Sequence, residues 1–336
     1  MSRIAEISVA ISTRHRPEAL ARCLDALAKG EVLPAEVVVV DQSRDDRTER
    51  AVEERRGGPL NLIYGRQDAQ GLAVAQNTAV ARTAQPVVAV TDDDCVPDPG
   101  WLAVVERAFA DPGLDGLGGR VLPLEPEGEK IYPVSSRPST VRRDFQGWAA
   151  PWEVGSGNNF AVRRQVWDRI GGCDERLGPG SPAQGGVDMD LFYRLLRAGA
   201  HLRYEPDALV FHERQTLAER LARRPMYGRG MGACCRLRLR EGDWGALRLL
   251  GAWLALRLRA LARGGLREEM LMLGGTVRGL VSPHPLAPSP ATPTAPSPGE
   301  GERNPTDLAS SQQGRSQASP LSRGGRAEGA GEGDRG

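Results

Sequence analysis

Apolar positions follow two rhythms through the first third of the chain. Glu6 to Ser12 reads as a strand. After it Leu20, Cys23, Leu24 and Leu27 recur at helical spacing, between Pro17, which suits a first helical turn, and a stop at Gly30. The next apolar run does not alternate: four successive valines at 37 to 40 precede Asp41, the pattern of a strand buried on both faces of a parallel sheet. A polar helix around Asp45 to Arg55, a strand from Asn61 to Tyr64 and a helix from Leu72 to Ala84 follow. A strand beginning at Pro86 then runs straight into Asp92, Asp93 and Asp94. Strands and helices alternating at this spacing predict right-handed βαβ units. The expected fold class is therefore α/β, a doubly wound, mostly parallel sheet with flanking helices.

Farther on the pattern loosens. A helix from Trp101 to Asp111 precedes residues 112–150, rich in Gly and Pro, to which the pattern assigns no element. Leu191, Phe192, Leu195 and Leu196 form an apolar helical stripe closed by Gly199, and His201 to Phe211 is a last strand ending at His212. This places the sheet domain at residues 1–212. Residues 213–282 read as a basic helical extension, in which Trp244, Leu247, Leu249, Leu250, Trp253, Leu254, Leu258 and Leu261 mix with Arg248, Arg257 and Arg259. Such a helix either lies on a bilayer surface or packs on the sheet domain. Residues 283–336, dominated by Pro, Ser, Gly and Ala with no aromatic residue, are expected to be disordered.

Composition narrows the partners. The 336 residues carry a formal net charge of +1, yet arginine is crowded into 214–267. One local basic surface, and no nucleic-acid partner, is the expectation. Five cysteines without Cys-x-x-Cys spacing suit a reducing cytoplasm. The N-terminus shows no apolar run of a secretory signal, and no stretch reaches the ~18 apolar residues of a conventional membrane span. A cytoplasmic location follows as an expectation, with peripheral contact at the inner face of the cell membrane if the basic helix binds lipid.

Candidate chemistry centres on the three aspartates. At the carboxyl end of a strand in an open α/β sheet they stand at the rim of the ligand crevice, where adjacent carboxylates form a hard oxygen site for Mg2+ or Mn2+. One acid could instead cap the helix that follows. No Gly-x-Gly-x-x-Gly follows the first strand and no Walker Gly-Lys-Ser/Thr occurs, so phosphate would fall to the metal and to arginines such as Arg14 and Arg66. Asn158 and Asn159, after the small residues Gly155, Ser156 and Gly157, offer amides for hydroxyl recognition or a tight turn. Asp188 and Asp190 lie in a first helical turn, where the dipole favours the ionised carboxylate that a general base needs; Asp190 has Arg194 four residues on as a partner. His212 is either a third metal ligand or a histidine at the edge of the core.

Together these segments resemble family 2 glycosyltransferases of the GT-A fold. The resemblance runs from Ile7 to Val281 on Val-Ala-Ile-Ser-Thr-Arg-His-Arg-Pro, Val-Val-Val-Asp-Gln-Ser, Thr-Asp-Asp-Asp-Cys-Val-Pro, Gly-Asn-Asn-Phe-Ala-Val-Arg-Arg, Gly-Gly-Cys-Asp-Glu-Arg-Leu and Val-Asp-Met-Asp-Leu-Phe-Tyr-Arg. It implies inverting transfer of a sugar from a nucleotide-diphosphate donor to a glycan or lipid-linked acceptor. Asp41 would contact the base, Thr13 and Arg14 the nucleotide, Asp92 the ribose and Asp94 the metal. Asp188 would be the base, and Asn158 and Asn159 would meet donor sugar or acceptor. Three positions depart from the family pattern: Val187 where Glu often precedes the base, Gln42 after Asp41, and Gln76 where an Arg is usual. Two other readings are a catalytically degenerate binding or scaffold protein, which Val187 and Gln76 favour, and a sugar-phosphate nucleotidyltransferase. The latter lacks its glycine-rich basic loop in Ser12–Pro17.

Overall fold

The computed structural model describes residues 3–282. The tail expected to be disordered, 283–336, lies outside the described residues. In chain order the first βαβ units are β1 (Arg3–Thr13), α1 (Pro17–Ala28), β2 (Val32–Asp41), α2 (Arg47–Glu53), β3 (Leu62–Arg66), α3 (Leu72–Ala81) and β4 (Val87–Asp92). Then come β5 (Cys95–Pro97), α4 (Trp101–Phe109), β6 (Gly116–Pro123), β7 (Tyr132–Pro133), β8 (Arg143–Phe145), α5 (Pro151–Val154), β9 (Asn159–Arg163), α6 (Arg164–Ile170), α7 (Val187–Arg197), β10 (Leu202–His212) and β11 (Arg214–Gln215). Three helices follow, α8 (Leu217–Arg240), α9 (Gly245–Ala262) and α10 (Leu266–Val281).

The main sheet has the order β3-β2-β1-β4-β9-β6-β10-β5, with β8 on the side of β10. β3, β2, β1 and β4 are parallel, as the βαβ pattern predicts, and the register sets Thr13 opposite Asp41 and Ser12 opposite Asp92 along one carboxyl edge. The segment read at Asn158 and Asn159 as hydroxyl-binding amides or a tight turn runs into β9, which is antiparallel between β4 and β6 and pairs Thr91 with Asn159. Pro97 does not simply stop the strand before it. The aspartates form a turn between β4 and β5, and β5 pairs antiparallel with β10 so that Cys95 lies opposite His212.

Valines 37 to 40 are wholly buried, Val37 and Val39 in one core and Val38 and Val40 in the other, on opposite faces of the sheet. Each contributes roughly 1.5–3 kcal/mol by leaving water. The helical extension packs differently. Gly228 and Gly232 of α8 meet Gly275 and Gly279 of α10 with backbone against backbone: a Cβ at Gly228 would stand 1.9 Å from the Met272 carbonyl oxygen. α9 turns Leu249 and Trp253 inward, and the Trp253 indole N–H donates to Thr276 at 2.9 Å. Trp244, Leu247 and Leu258 remain exposed. Among the described residues no helix is long and apolar enough to cross a membrane.

Candidate active site

A cleft of about 500 Å3 opens at the carboxyl edge of β1, β2 and β4. Ser12, Thr13, Arg14, Gln42 and all three aspartates line one side; Arg223, Met226 and Tyr227 of α8 line the other. The first helix of the extension is therefore a wall of the site. Its position is fixed at the N-terminus by a capping box: Thr216 Oγ1 accepts from the Glu219 N–H while Glu219 accepts from the Thr216 N–H.

The aspartates do different things. Asp93 accepts from the Thr13 hydroxyl at 2.7 Å, and Arg16 Nη1 reaches Asp93 Oδ1 at 3.2 Å and Asp94 Oδ2 at 2.6 Å. Burial, then repulsion from Asp94, pushes the Asp93 carboxyl up to about 6. Asp92 lines the cleft and is pushed well up, first by burial and then by its two acidic neighbours. None of the three caps α4. Asp98 shapes that turn, accepting from the Gly100 N–H at 2.9 Å.

His212, 3% exposed, tests the site for a metal. Its Nδ1 lies 3.0 Å from the Glu213 carbonyl oxygen, which can only accept, so Nδ1 carries the proton. Nε2 faces Asp94 Oδ1 at 3.3 Å, a buried carboxylate oxygen with no hydrogen-bond partner. Either a proton on Nε2 or a shared cation joins the two atoms, and an imidazole nitrogen with carboxylate oxygens suits Mn2+ or Mg2+. The Cys95 sulfur shares this cluster, but burial keeps the thiol protonated and it adds no hard ligand. The residues present fit a divalent cation at Asp94 and His212.

Asp188 stands in the first turn of α7 and accepts from the N–H groups of Gly157 at 3.2 Å and Met189 at 2.9 Å. Burial raises its pKa; those N–H groups and the Arg137 charge oppose the rise. Its neighbour Asp190 is structural. It receives Arg194 at 2.6 Å, as the spacing predicts, and also Arg238 of α8 at 3.0 Å. Val187 is buried against Gly178.

Three expected contacts, those of Asp41, Arg66 and Asn159, fall elsewhere. Asp41 is fully buried and both its oxygens are engaged, by the Ser43 N–H and the Tyr64 hydroxyl, so Gln42 faces the cleft instead. Arg66 is away from the cleft lining, bonded to the Asp45 carbonyl and Glu49. Asn159 is wholly buried: its amide donates to the Arg120 and Ala208 carbonyls and its oxygen accepts from the Trp101 indole, leaving no group for a sugar. Gln76 is buried and accepts from the Cys173 thiol. Asn158 differs, because its buried side-chain nitrogen has no partner. Arg16, absent from the sequence reading, touches two of the three aspartates. Its only sequence signal is its place just before Pro17, four residues ahead of Leu20 where the α1 apolar stripe starts, at the same edge as Thr13.

Against known proteins, the model of glycosyl transferase family 2 matches residues 8–171, which include the Asp turn and β9. Residues 8–171 belong to this family. The pre-mycofactocin glycosyltransferase of Mycobacterium tuberculosis is 31% identical over 58% of this chain and 41% of its own, so the chain spans about two fifths of that relative's length. Glycosyltransferase AglE of Haloferax volcanii is 25% identical over 68% of this chain and 74% of its own. The mannosyltransferase PcManGT of Pyrobaculum calidifontis, solved with GDP-Man and Mn2+, aligns with a TM-score of 0.54 at 19% identity over 83% of this chain and 88% of that one. S. aureus TarS 1-349 with UDP-GlcNAc gives 0.53 at 16% identity, covering 82% of each chain. The likeness to both solved structures lies in the fold, the GT-A type of mixed sheet with helices on both faces.

Proposed function

We propose that this chain is an inverting glycosyltransferase that moves a sugar from a nucleoside-diphosphate donor to an acceptor hydroxyl, with Asp94 and His212 holding Mg2+ or Mn2+. The observation that carries the reading is the approach of His212 Nε2 to the unpartnered Asp94 Oδ1, 3.3 Å apart, on the lining of a cleft of about 500 Å3. When bound, the cation neutralises charge that develops on the leaving diphosphate. Thr13, Arg14 and Gln42 border the nucleotide, and Asp92 faces its ribose. Asp188 takes the proton of the acceptor hydroxyl. Burial strengthens it as a base and the Gly157 and Met189 N–H groups fix its orientation. A single base serves one in-line displacement, hence inversion.

The acceptor is a glycan or lipid-linked precursor met at a membrane face. Residues 244–267 hold five arginines and no acid, and the outer side of α9 exposes Trp244, Leu247 and Leu258, a surface suited to anionic headgroups. The triple substitution Trp244→Ser, Leu247→Ser, Leu258→Ser leaves the inward residues intact and is expected to abolish sedimentation with anionic vesicles. Equal sedimentation of variant and parent removes the membrane part of the reading.

The donor part is tested by melting the protein with UDP, GDP, dTDP or CMP, each with and without Mn2+. A nucleoside diphosphate is expected to raise the melting temperature when Mn2+ is present, by binding the folded state alone, and Asp94→Ala is expected to remove the rise. A folded protein unmoved by every ligand favours the scaffold reading.

A further inference from the structure

The Arg16 guanidinium sits on the carboxylates that would hold the cation. A single nitrogen, Nη1, bridges Asp93 Oδ1 and Asp94 Oδ2, and its other nitrogens make no hydrogen bond within the described residues. The side chain is 47% exposed while those of Asp93 and Asp94 are 6% and 11% exposed. It borders the main cleft and also an adjoining cavity of about 320 Å3, with Arg223 and Lys130 around the second. An arginine serving only to cement the turn gains most from two parallel bonds in a dry fork. Arg16 instead holds on by one nitrogen, from the solvent side, with room on either flank.

We propose that Arg16 is the exchangeable counter-cation of this site: it neutralises Asp93 and Asp94 while no metal is bound, and transfers to the diphosphate of the donor when the metal takes Asp94. The inference rests on the metal reading above and adds a coupling to it. Metal alone must displace Arg16 with no anion to receive it. With a nucleoside diphosphate present, the guanidinium exchanges a carboxylate for a phosphate, and the two ligands help each other bind beyond any contact between them. Asp94 Oδ2 is the atom in contention; Oδ1 faces His212.

The test is a titration of Mn2+, followed by the spin-resonance signal of the free ion, into the full chain and its Arg16→Gln and Arg16→Lys variants at pH 8, without nucleotide and with saturating UDP or GDP. Without nucleotide, Arg16→Gln is expected to bind Mn2+ roughly tenfold tighter than the parent, the scale of one half-exposed ion pair removed. With the nucleotide present that advantage is expected to vanish, and the lysine variant, which keeps the charge, is expected to stay near the parent throughout. Equal Mn2+ affinity of Arg16→Gln and parent without nucleotide overturns the exchange while leaving the metal reading intact. A tenfold advantage that persists unchanged with nucleotide also overturns it, because it shows only charge repulsion. If neither parent nor variant binds Mn2+ under any condition, the metal reading falls, and the exchange with it.

Discussion

Val38 in the sheet and Gly232 in α8 are both buried, and by opposite means. Val38 displaces water with a branched side chain among other branched side chains. Gly232 has none, and a Cβ there would lie 2.2 Å from the Thr276 carbonyl oxygen of α10. Ion pairs hold α8 on both sides: Arg238 joins Asp174 and Asp190 of the sheet domain and Glu241 at its own C-terminus, and Arg220 and Arg224 join Glu268 of α10. The sheet half tolerates exchange of one apolar side chain for another of similar volume. The helical third depends on absent side chains and on charges that must all find partners. The active site lies between the two, so the sheet supplies carboxylates on a rigid edge and α8 supplies a wall whose place rests on less forgiving contacts.

The largest effect is expected where the sheet half alone acts. Asp188→Asn keeps the shape of the first turn of α7 and removes the base; transfer is expected to fall by about 10²–10⁴-fold, with the melting shift given by nucleotide and Mn2+ unchanged. Transfer at the parental rate would move the base to another residue. Next comes the seam. Arg238→Met leaves Asp174 and Asp190 buried with one arginine each, Arg176 and Arg194. The loss in a denaturant titration is expected to be roughly 3 kcal/mol, at the low end for a broken buried pair because those partners remain. A loss under about 0.5 kcal/mol, the range of ordinary surface changes, would mean the seam does not depend on charge. Gly228→Ala, which puts a methyl into the Met272 carbonyl, is expected to cost about 1–3 kcal/mol, whereas Ile11→Leu in the sheet, a swap of equal volume, should cost less than about 1.5 kcal/mol. The reverse order would erase the contrast between the halves.

The same contrast decided what could be read from the chain. Runs such as 37–40 declare a doubly buried strand, because period and residue type agree, and the Asp triplet after an apolar run declares a strand end at the carboxyl edge of the sheet. β9 escaped because Asn158 and Asn159 look like turn residues. Asn159 is in fact a clamp across strands, filling the space that Gly119 leaves open, and nothing local announces it. α8 lies inside the expected helical extension, yet its own residues set no bounds for it. Pro225, Gly228, Gly230 and Gly232 disfavour a helix by propensity, and tertiary packing against α10 overrides them. Arg16 meets its aspartates across 77 and 78 positions of sequence, a contact that the register of β1 and β4 makes and no motif encodes.

The smallest effect has the sign that separates a functional group from a structural one. Burial raises the Asp188 carboxyl, whereas bonds to Arg176 and the charge of Arg238 hold Asp174 below the ordinary carboxylate range despite its burial. A lowered carboxyl contributes stability above the unfolded pKa, ~3.9, which is lost as pH falls through the folded value; a raised one costs stability that accrues as pH climbs from the unfolded value to the folded one. Asp174→Asn is therefore expected to lower the melting temperature at pH 7 and to matter least in strong acid. Asp188→Asn, which replaces the proposed base, is expected to raise the melting temperature slightly at pH 8 and to lose that advantage at pH 3, where the parental carboxyl is protonated anyway. If Asp188→Asn melts lower than the parent at pH 8, the Gly157 and Met189 N–H groups outweigh the cost of burial. Asp188 would then join Asp174 and Asp190 as a residue that holds α7 in place, and the base would have to be sought nearer the cleft.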